Sequence, residues 1–153
     1  MNFLLIDAFS NDPFSGNPAG VCLSESIGSH QYLPDILIEL SSESIVRSLE
    51  PDLNAIASQQ TRGVIVTAKS DPGNDKADFV SRFFAPSAGI PEDPVTGSAH
   101  CCLAPYWAEK LGKIELTGYQ ASARGGYVRC RSDRDRVHLG GEAVTVLSGK
   151  LLV

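Results

Sequence analysis

Residues 92–112 read EDPVTGSAHCCLAPYWAEKLG, a loop of glycine, proline, acidic and hydroxyl residues that opens directly onto a run with helical periodicity. Ala99, Cys102, Leu103, Tyr106, Trp107 and Leu111 recur at i, i+3, i+4, i+7, i+8 and i+12, one apolar stripe on a 3.6-residue repeat. The spacing predicts a helix over 97–111, closed by Gly112 in the left-handed conformation that suits a glycine past a helix end. Pro105 lies inside it and lacks an amide donor, so a kink or weakened first turns are expected. So wide an apolar stripe has to be covered, and the flanking sequence offers strands to cover it.

Upstream, Met1 to Phe9 reads as a strand ended by the turn cluster Ser10-Asn11-Asp12-Pro13, followed by a Gly-Asn-Pro loop at 16–18 and a short strand from Val21 to Leu23. A polar joint occupies 24–34. Asp35 to Leu40 suits a buried strand. Ser41 or Ser42 can cap a helix carrying Val46 and Leu49, and Pro51 can start a second with Leu53, Ile56 and Ala57 on one side. Strands follow at 63–69 and 77–84. Downstream, strands are expected at 114–117, 119–123, 127–131, 136–139, 143–147 and 150–153, divided by turns that include Gly125-Gly126, Gly140-Gly141 and Ser148-Gly149. The expected fold class is α+β: a curved, mostly antiparallel sheet wrapped around the helix at 97–111, with the strand at 3–9 completing it or mediating association. Residues 1–153 are read as one domain.

The chain has 153 residues, 42% apolar and 20% charged, with a net charge of -5. No Lys/Arg cluster is present to neutralise phosphates, which argues against nucleic acid as a partner. No apolar run approaches the roughly 20 residues that cross a bilayer, and the first residues lack the basic-then-apolar order of a signal peptide, so a cytoplasmic protein with no membrane partner is expected. Cys22, Cys101, Cys102 and Cys130 show no CxxC spacing and read as reduced, mostly buried thiols. His30, His100 and His138 have no second His or Cys at ligand spacing, so no metal site is expected.

The loop at 92–100 is the first candidate for chemistry. The first N–H groups of a helix have no internal partner and face a favourable dipole for negative charge, so Thr96, Gly97, Ser98 and Ala99 could cradle a carboxylate or phosphate. The alternative reading is a plain helix start, in which Thr96 or Ser98 caps and Asp93 is a turn residue. The loop Phe14 to Gly20 offers Asn17 as donor and acceptor, or is simply a tight turn. His100 could act as an acid or base near neutral pH, or be structurally bonded. Arg124-Gly125-Gly126 could position an anion or be a hairpin turn with a flanking charge.

Three stretches together resemble the phenazine-biosynthesis PhzF-like isomerases: residues 3–23 (FLLIDAFSNDPFSGNPAGVCL), 78–112 (DFVSRFFAPSAGIPEDPVTGSAHCCLAPYWAEKLG) and 120–126 (QASARGG). The resemblance implies a fold like that of diaminopimelate epimerase, in which two halves each wrap a sheet around a central helix, with the active site between them and no cofactor or metal. The implied activity is carboxylate-mediated proton transfer on a small carboxylated metabolite. By motif matching, Asp93 and Ser98 carry over as catalytic residues. Thr96, Gly97 and Ala99 would bind substrate, with Asn17 and Pro18 lining the other side.

The chain also departs from the family pattern. The Leu-Ser-Glu-Thr/Ser segment that carries the family's principal acid/base is not recognised after the Gly-Asn-Pro strand, and no Gly-His dipeptide occurs. The chain reads as an internally shortened member that keeps the start of the first half and, over 35–153, most of the second. Ser41-Ser42-Glu43-Ser44 lies near the expected interval, Glu43 being 26 residues after Asn17, but it runs on into the second-half pattern and is not taken as the acid/base. A missing half would leave an apolar face exposed, for which a homodimer is the expected remedy.

Overall fold

The computed structural model describes residues 2–22 and 35–150. In chain order these form β1 (Asn2–Ala8), β2 (Asn17–Cys22), β3 (Ile36–Glu39), α1 (Glu43–Ser48), α2 (Leu53–Ala57), β4 (Val64–Lys69), β5 (Phe79–Phe84), α3 (Gly97–Leu111), β6 (Glu115–Gln120), β7 (Gly126–Asp133), β8 (Arg136–Gly140) and β9 (Ala143–Lys150). Two sheets result, one in the order β3-β4-β5-β6-β7-β8 and one in the order β2-β1-β9. Five of the seven strand pairs are antiparallel; β3–β4 and β5–β6 are parallel. Parallel neighbours need a crossover, and α3 supplies the one between β5 and β6.

The larger sheet is covered on both faces. On one, Leu103, Ala99, Ala104 and Trp107 of α3 pack with Ile65, Phe79, Phe83, Leu116, Val128 and Cys130 of the strands. On the other, Val46 of α1 joins Val64, Val66, Ala68, Val80 and Phe84, with Leu49, Leu53 and Ile56 packed against them. β4 and β5 therefore bury consecutive residues, as strands covered on both faces do. Phe79 and Trp107 stack with ring centroids 6.0 Å apart, and the Trp107 indole N–H donates to Thr67 Oγ1 at 3.0 Å. Thr67 donates in turn to the Val80 carbonyl at 2.7 Å, which locks the helix to adjacent strands.

The α+β architecture and the covered helix at 97–111 match the sequence reading, and several boundaries do not. The strand at 3–9 does not complete the sheet around α3; β1 pairs with β2 and β9 in the separate sheet. The two short strands expected at 114–117 and 119–123 are one, β6. A Cβ on Gly118 would lie 2.5 Å from the Phe79 ring and 3.0 Å from His100 Cδ2, so the glycine marks close packing, not a break. Ser148 and Gly149 are not a turn: β9 continues through them, opposite Leu4 and Phe3. Pro105 does not divide α3; it and Cys101, whose carbonyl loses its partner, lie on the exposed side where water can replace the bond. α2 starts after Asp52, whose carboxylate accepts the N–H groups of Asn54 and Ala55 at 3.0 Å each, not at Pro51. The polar joint at 24–34 and most of the strand expected at 150–153 lie outside the described residues.

Thr67→Val keeps the shape of the side chain and removes the acceptor of the buried indole and the donor to Val80. Urea denaturation should show a loss of about 1–3 kcal/mol, the range for a buried polar group left unsatisfied. No change in the midpoint would mean that the helix is held by packing alone.

Candidate active site around the start of helix α3

The loop at 93–96 is held from below by Gln120, which is fully buried at the end of β6. Its Oε1 accepts the Thr96 N–H at 2.8 Å, while its Nε2 donates to the Asp93 carbonyl at 2.8 Å and to Thr96 Oγ1 at 3.1 Å. An amide nitrogen only donates, so the single proton of the Thr96 hydroxyl is left for Asp93 Oδ2, 2.5 Å away. Asp93 donates its own N–H to the Phe83 carbonyl at 3.0 Å, and Ser122 Oγ donates to the Pro94 carbonyl at 2.7 Å. With Val95 fully buried, the loop is fastened on both sides. Asp93 Oδ2 is occupied, whereas Oδ1 has no hydrogen-bond partner among the described residues.

Thr96 is the N-cap residue of α3, yet its hydroxyl is spent on Asp93 and caps nothing. The first helical bond runs from His100 N–H to the Thr96 carbonyl at 3.3 Å. The N–H groups of Gly97, Ser98 and Ala99 consequently have no acceptor among the described residues. Gly97 is not in the left-handed region, and a Cβ there would meet only Leu139 and Phe9, at 3.7 and 4.0 Å. The fold therefore does not require glycine at this position. Ser98 is exposed, and its Oγ accepts from Arg62 Nη2 at 2.9 Å. Neither Thr96 nor Ser98 caps the helix through its side chain, so the cap expected in the plain helix-start reading is not made.

The β1–β2 hairpin stands beside this loop. Asp7, 2% exposed, accepts from Arg124 Nη2 at 2.8 Å and from the Phe14 N–H at 2.6 Å. Arg124 Nε donates to the Gly16 carbonyl at 2.8 Å, and the Gly16 N–H donates to the Gly125 carbonyl at 3.0 Å. Asn17 and Pro18 follow, paired with Ala8 and Asp7. They sit next to the Gly125 turn, but no hydrogen bond among the described residues joins them to 93–99. A cleft of about 460 Å³ lined by Phe9, Ser15, Tyr119, Arg124, Tyr127 and Arg129 runs along this junction. None of residues 93–99 lines it, so the start of α3 opens at the surface and not at the bottom of that cleft.

The profile of the family described as phenazine biosynthesis-like protein matches residues 29–149. An uncharacterized isomerase of Halalkalibacterium halodurans is 52% identical over 127 residues, 83% of this chain. The chain belongs to the PhzF-like family. A second uncharacterized isomerase, from Pseudomonas aeruginosa, is 55% identical over 116 residues, 76% of this chain. These alignments take in 46% and 43% of the two relatives, so the chain spans about half the length of the curated proteins it matches. A crystal structure of a PhzC/PhzF protein from Clostridium difficile superposes with a TM-score of 0.82 at 24% identity, covering 100% of both chains, which supports the fold.

Of the residues the PhzF-like motifs point to, the structure brings Asp93 and Thr96 into direct contact, places Gly97, Ser98 and Ala99 in the first turn of α3, and leaves Asn17 and Pro18 a hairpin away. Glu43 is engaged elsewhere. Its carboxylate accepts from Arg47 Nε and Nη2 at 2.8 and 2.6 Å, from the Asp71 N–H at 2.9 Å and from Asn74 Nδ2 at 3.3 Å. Burial pushes its carboxyl up, and the Asp71, Arg47 and Asn74 bonds outweigh this and hold it below the ordinary range. Glu43 thus fastens the turn at 71–74 to α1.

His100 is enclosed, not poised at the surface. Its Nδ1 donates to the Thr96 carbonyl at 2.8 Å, which fixes the tautomer, and Nε2 is buried without a partner. Burial pulls its pKa down to about 4 against the smaller opposing pull of the Thr96 bond, so the ring is neutral near pH 7. The cysteine expectation also needs correction. Cys101 and Cys102 are exposed, Cys102 although the periodicity put it in the apolar stripe, because the buried face of α3 runs through Ala99, Leu103, Ala104 and Trp107; Cys130 is buried with its thiol pushed up to about 12. Sequence reasoning missed Arg62, which is 36 residues from Ser98 and carries no motif.

A histidine with a depressed folded pKa contributes stability that is present above its unfolded pKa near 6.5 and lost as pH falls toward 4. Between pH 7 and pH 5 the unfolding free energy should drop by about 2 kcal/mol on account of this ring. In His100→Asn that portion of the slope should vanish in urea titrations at the two pH values. An unchanged slope would place the proton uptake elsewhere.

Proposed function

We propose that the chain is an isomerase-type protein that moves a proton on a small carboxylated metabolite, with Asp93 as the acid/base and the first turn of α3 as the seat for the substrate's carboxylate. The observation that carries this reading is the hydrogen-bond chain Gln120–Thr96–Asp93, which occupies Oδ2, leaves Oδ1 without a partner among the described residues and runs through Thr96, the residue that precedes the unpartnered helix amides. The other carboxylates around the loop are committed: Glu92 to Arg82, Asp35 to Arg62 and Asp7 to Arg124. Asp93 is therefore the carboxylate with an oxygen to give. The amides of Gly97, Ser98 and Ala99 with the Ser98 hydroxyl suit an anion through charge–dipole attraction and charge-assisted bonds. Asn17 and Pro18 would contribute a wall only to a substrate long enough to reach the hairpin.

A proton-transfer step needs the carboxylate to take a proton from a carbon made acidic by its neighbours and return it at another. The Thr96 hydroxyl holds the receiving group in one orientation, which lowers the cost of reaching the right geometry. No cofactor enters this reading. A second reading, an anion-binding module without turnover, is favoured by one observation: a single carboxylate has to serve both halves of the transfer, since Glu43 is fastened to α1. A homodimer could bring a second carboxylate to the site. Ile36 and Ile38, 42% and 43% exposed on the edge strand β3, and Leu147, 51% exposed on β9, support such an association. Among the described residues no helix is long and apolar enough to cross a membrane.

Two measurements test the reading. Sulfate or benzoate titrated against the labelled protein should shift the amide signals of residues 97–99 with millimolar affinity, on the order of 4 kcal/mol. Shifts no larger than those of surface amides elsewhere would leave an empty helix start. In deuterated water, small unsaturated carboxylic acids should lose proton signal at the carbon next to the unsaturation, and Asp93→Asn should slow this by about 10²- to 10⁴-fold. Binding without exchange in the unaltered chain would select the module.

A further inference from the structure

Arg62 occupies the loop between α2 and β4, far in sequence from everything else at the site. Its Nε donates to Asp35 Oδ1 at 2.8 Å, and Nη2 contacts Asp35 Oδ2, so the two planar groups meet as a fork. The guanidinium carbon lies 5.2 Å from the centre of the buried Phe83 ring. A carboxylate with 9% side-chain exposure on one side and an aromatic face on the other leave the group, itself 25% exposed, little freedom. From this fixed position Nη2 also reaches Ser98 Oγ at 2.9 Å.

That last bond has a chemical direction. A guanidinium has five donors and no acceptor, so the Ser98 oxygen must accept and its own proton must go elsewhere. Among the described residues no acceptor takes that proton. We propose that Arg62, locked by Asp35, is a positioning residue that turns Ser98 into a hydrogen-bond donor aimed at an anionic group seated on the first turn of α3. The anion would then receive the hydroxyl proton of Ser98 together with the helix amides, in the field of a cation one atom behind the hydroxyl. The inference rests on the anion seat proposed above and deepens it: the ligand class is an oxyanion, carboxylate or sulfate, and Ser98 serves it as a donor and not as a base.

The test is a double-mutant cycle read by sulfate titration of the 97–99 amides. Ser98→Ala should weaken sulfate binding about fivefold, the scale of one hydrogen bond. The paired change Arg62→Gln with Asp35→Asn, which removes both charges of that ion pair together, should weaken it about as much. Adding Ser98→Ala to that pair should then cost less than twofold, because the hydroxyl no longer has a preferred direction. Equal sulfate affinity in the Arg62/Asp35 pair and the unaltered chain overturns the inference, and so does the same Ser98→Ala factor in both backgrounds, which would mean that Arg62 only shapes the fold. If the pair loses cooperative unfolding, the comparison is made with Arg62→Lys, which keeps a cationic donor: binding within twofold supports the inference, and a fivefold loss overturns it. Failure of the anion seat itself is separable, since it shows in the unaltered chain as an absence of shifts, before any substitution.

Discussion

The side-chain amide of Gln120 has no water to turn to. It is buried at the end of β6, and its oxygen and nitrogen are both satisfied by the loop at 93–96. A buried amide left without partners costs about twice what a made hydrogen bond contributes, so the loop cannot drift from this contact without a penalty of about 1–3 kcal/mol. The rest of the site follows from it. The direction of the Thr96 hydroxyl is dictated by the amide's donor, the orientation of Asp93 by the hydroxyl, and the lack of a cap on α3 by the diversion of that hydroxyl away from the helix.

Much of the fold was legible because it is written in local periodicity. The stripe of Ala99, Leu103 and Trp107 places α3, the apolar run Val64-Ile65-Val66 places a strand, and Ser42 marks the start of α1. What was misread depends on partners distant in the chain. Gly118 looks like a break until Phe79 is set against it, and Ser148-Gly149 looks like a turn until Phe3 and Leu4 pair with it. Nothing local distinguishes a glycine that bends the chain from one that makes room for a ring. Cys101 and Cys102 were misplaced for a related reason: residue type favours burial, and position on the helix overrides it.

The site was legible to the extent that it is one contiguous motif. Asp93, Thr96 and Ser98 lie within six residues, and their chemistry could be read there. The residues that hold them could not. Gln120 stands in a strand after α3, and Arg62 in a loop before β4, joined to the motif only when the sheet forms. Both are recognisable in the structure by one criterion, a donor with no acceptor capacity aimed at a hydroxyl, which decides where that hydroxyl's proton goes.

The smaller sheet has a kinetic consequence. β1 and β9 are direct partners, so the pair Ala8–Ala143 closes a loop of 143 − 8 = 135 residues. Closing a flexible loop of that size costs roughly 4 kcal/mol of chain entropy before any contact rewards it, and little of this is recovered until the larger sheet has shortened the path. Folding should therefore run from the larger sheet around α3 outward, with the local β1–β2 hairpin docking onto β9 as the late event. The Asp7–Arg124 pair and Phe9, whose backbone and Cβ lie against Gly126 and whose ring lies against Gly141, are then latches that close after the core has formed. In hydrogen exchange the β1–β9 pairing should then open at a lower free energy than β4 and β5, which are buried on both faces of the larger sheet.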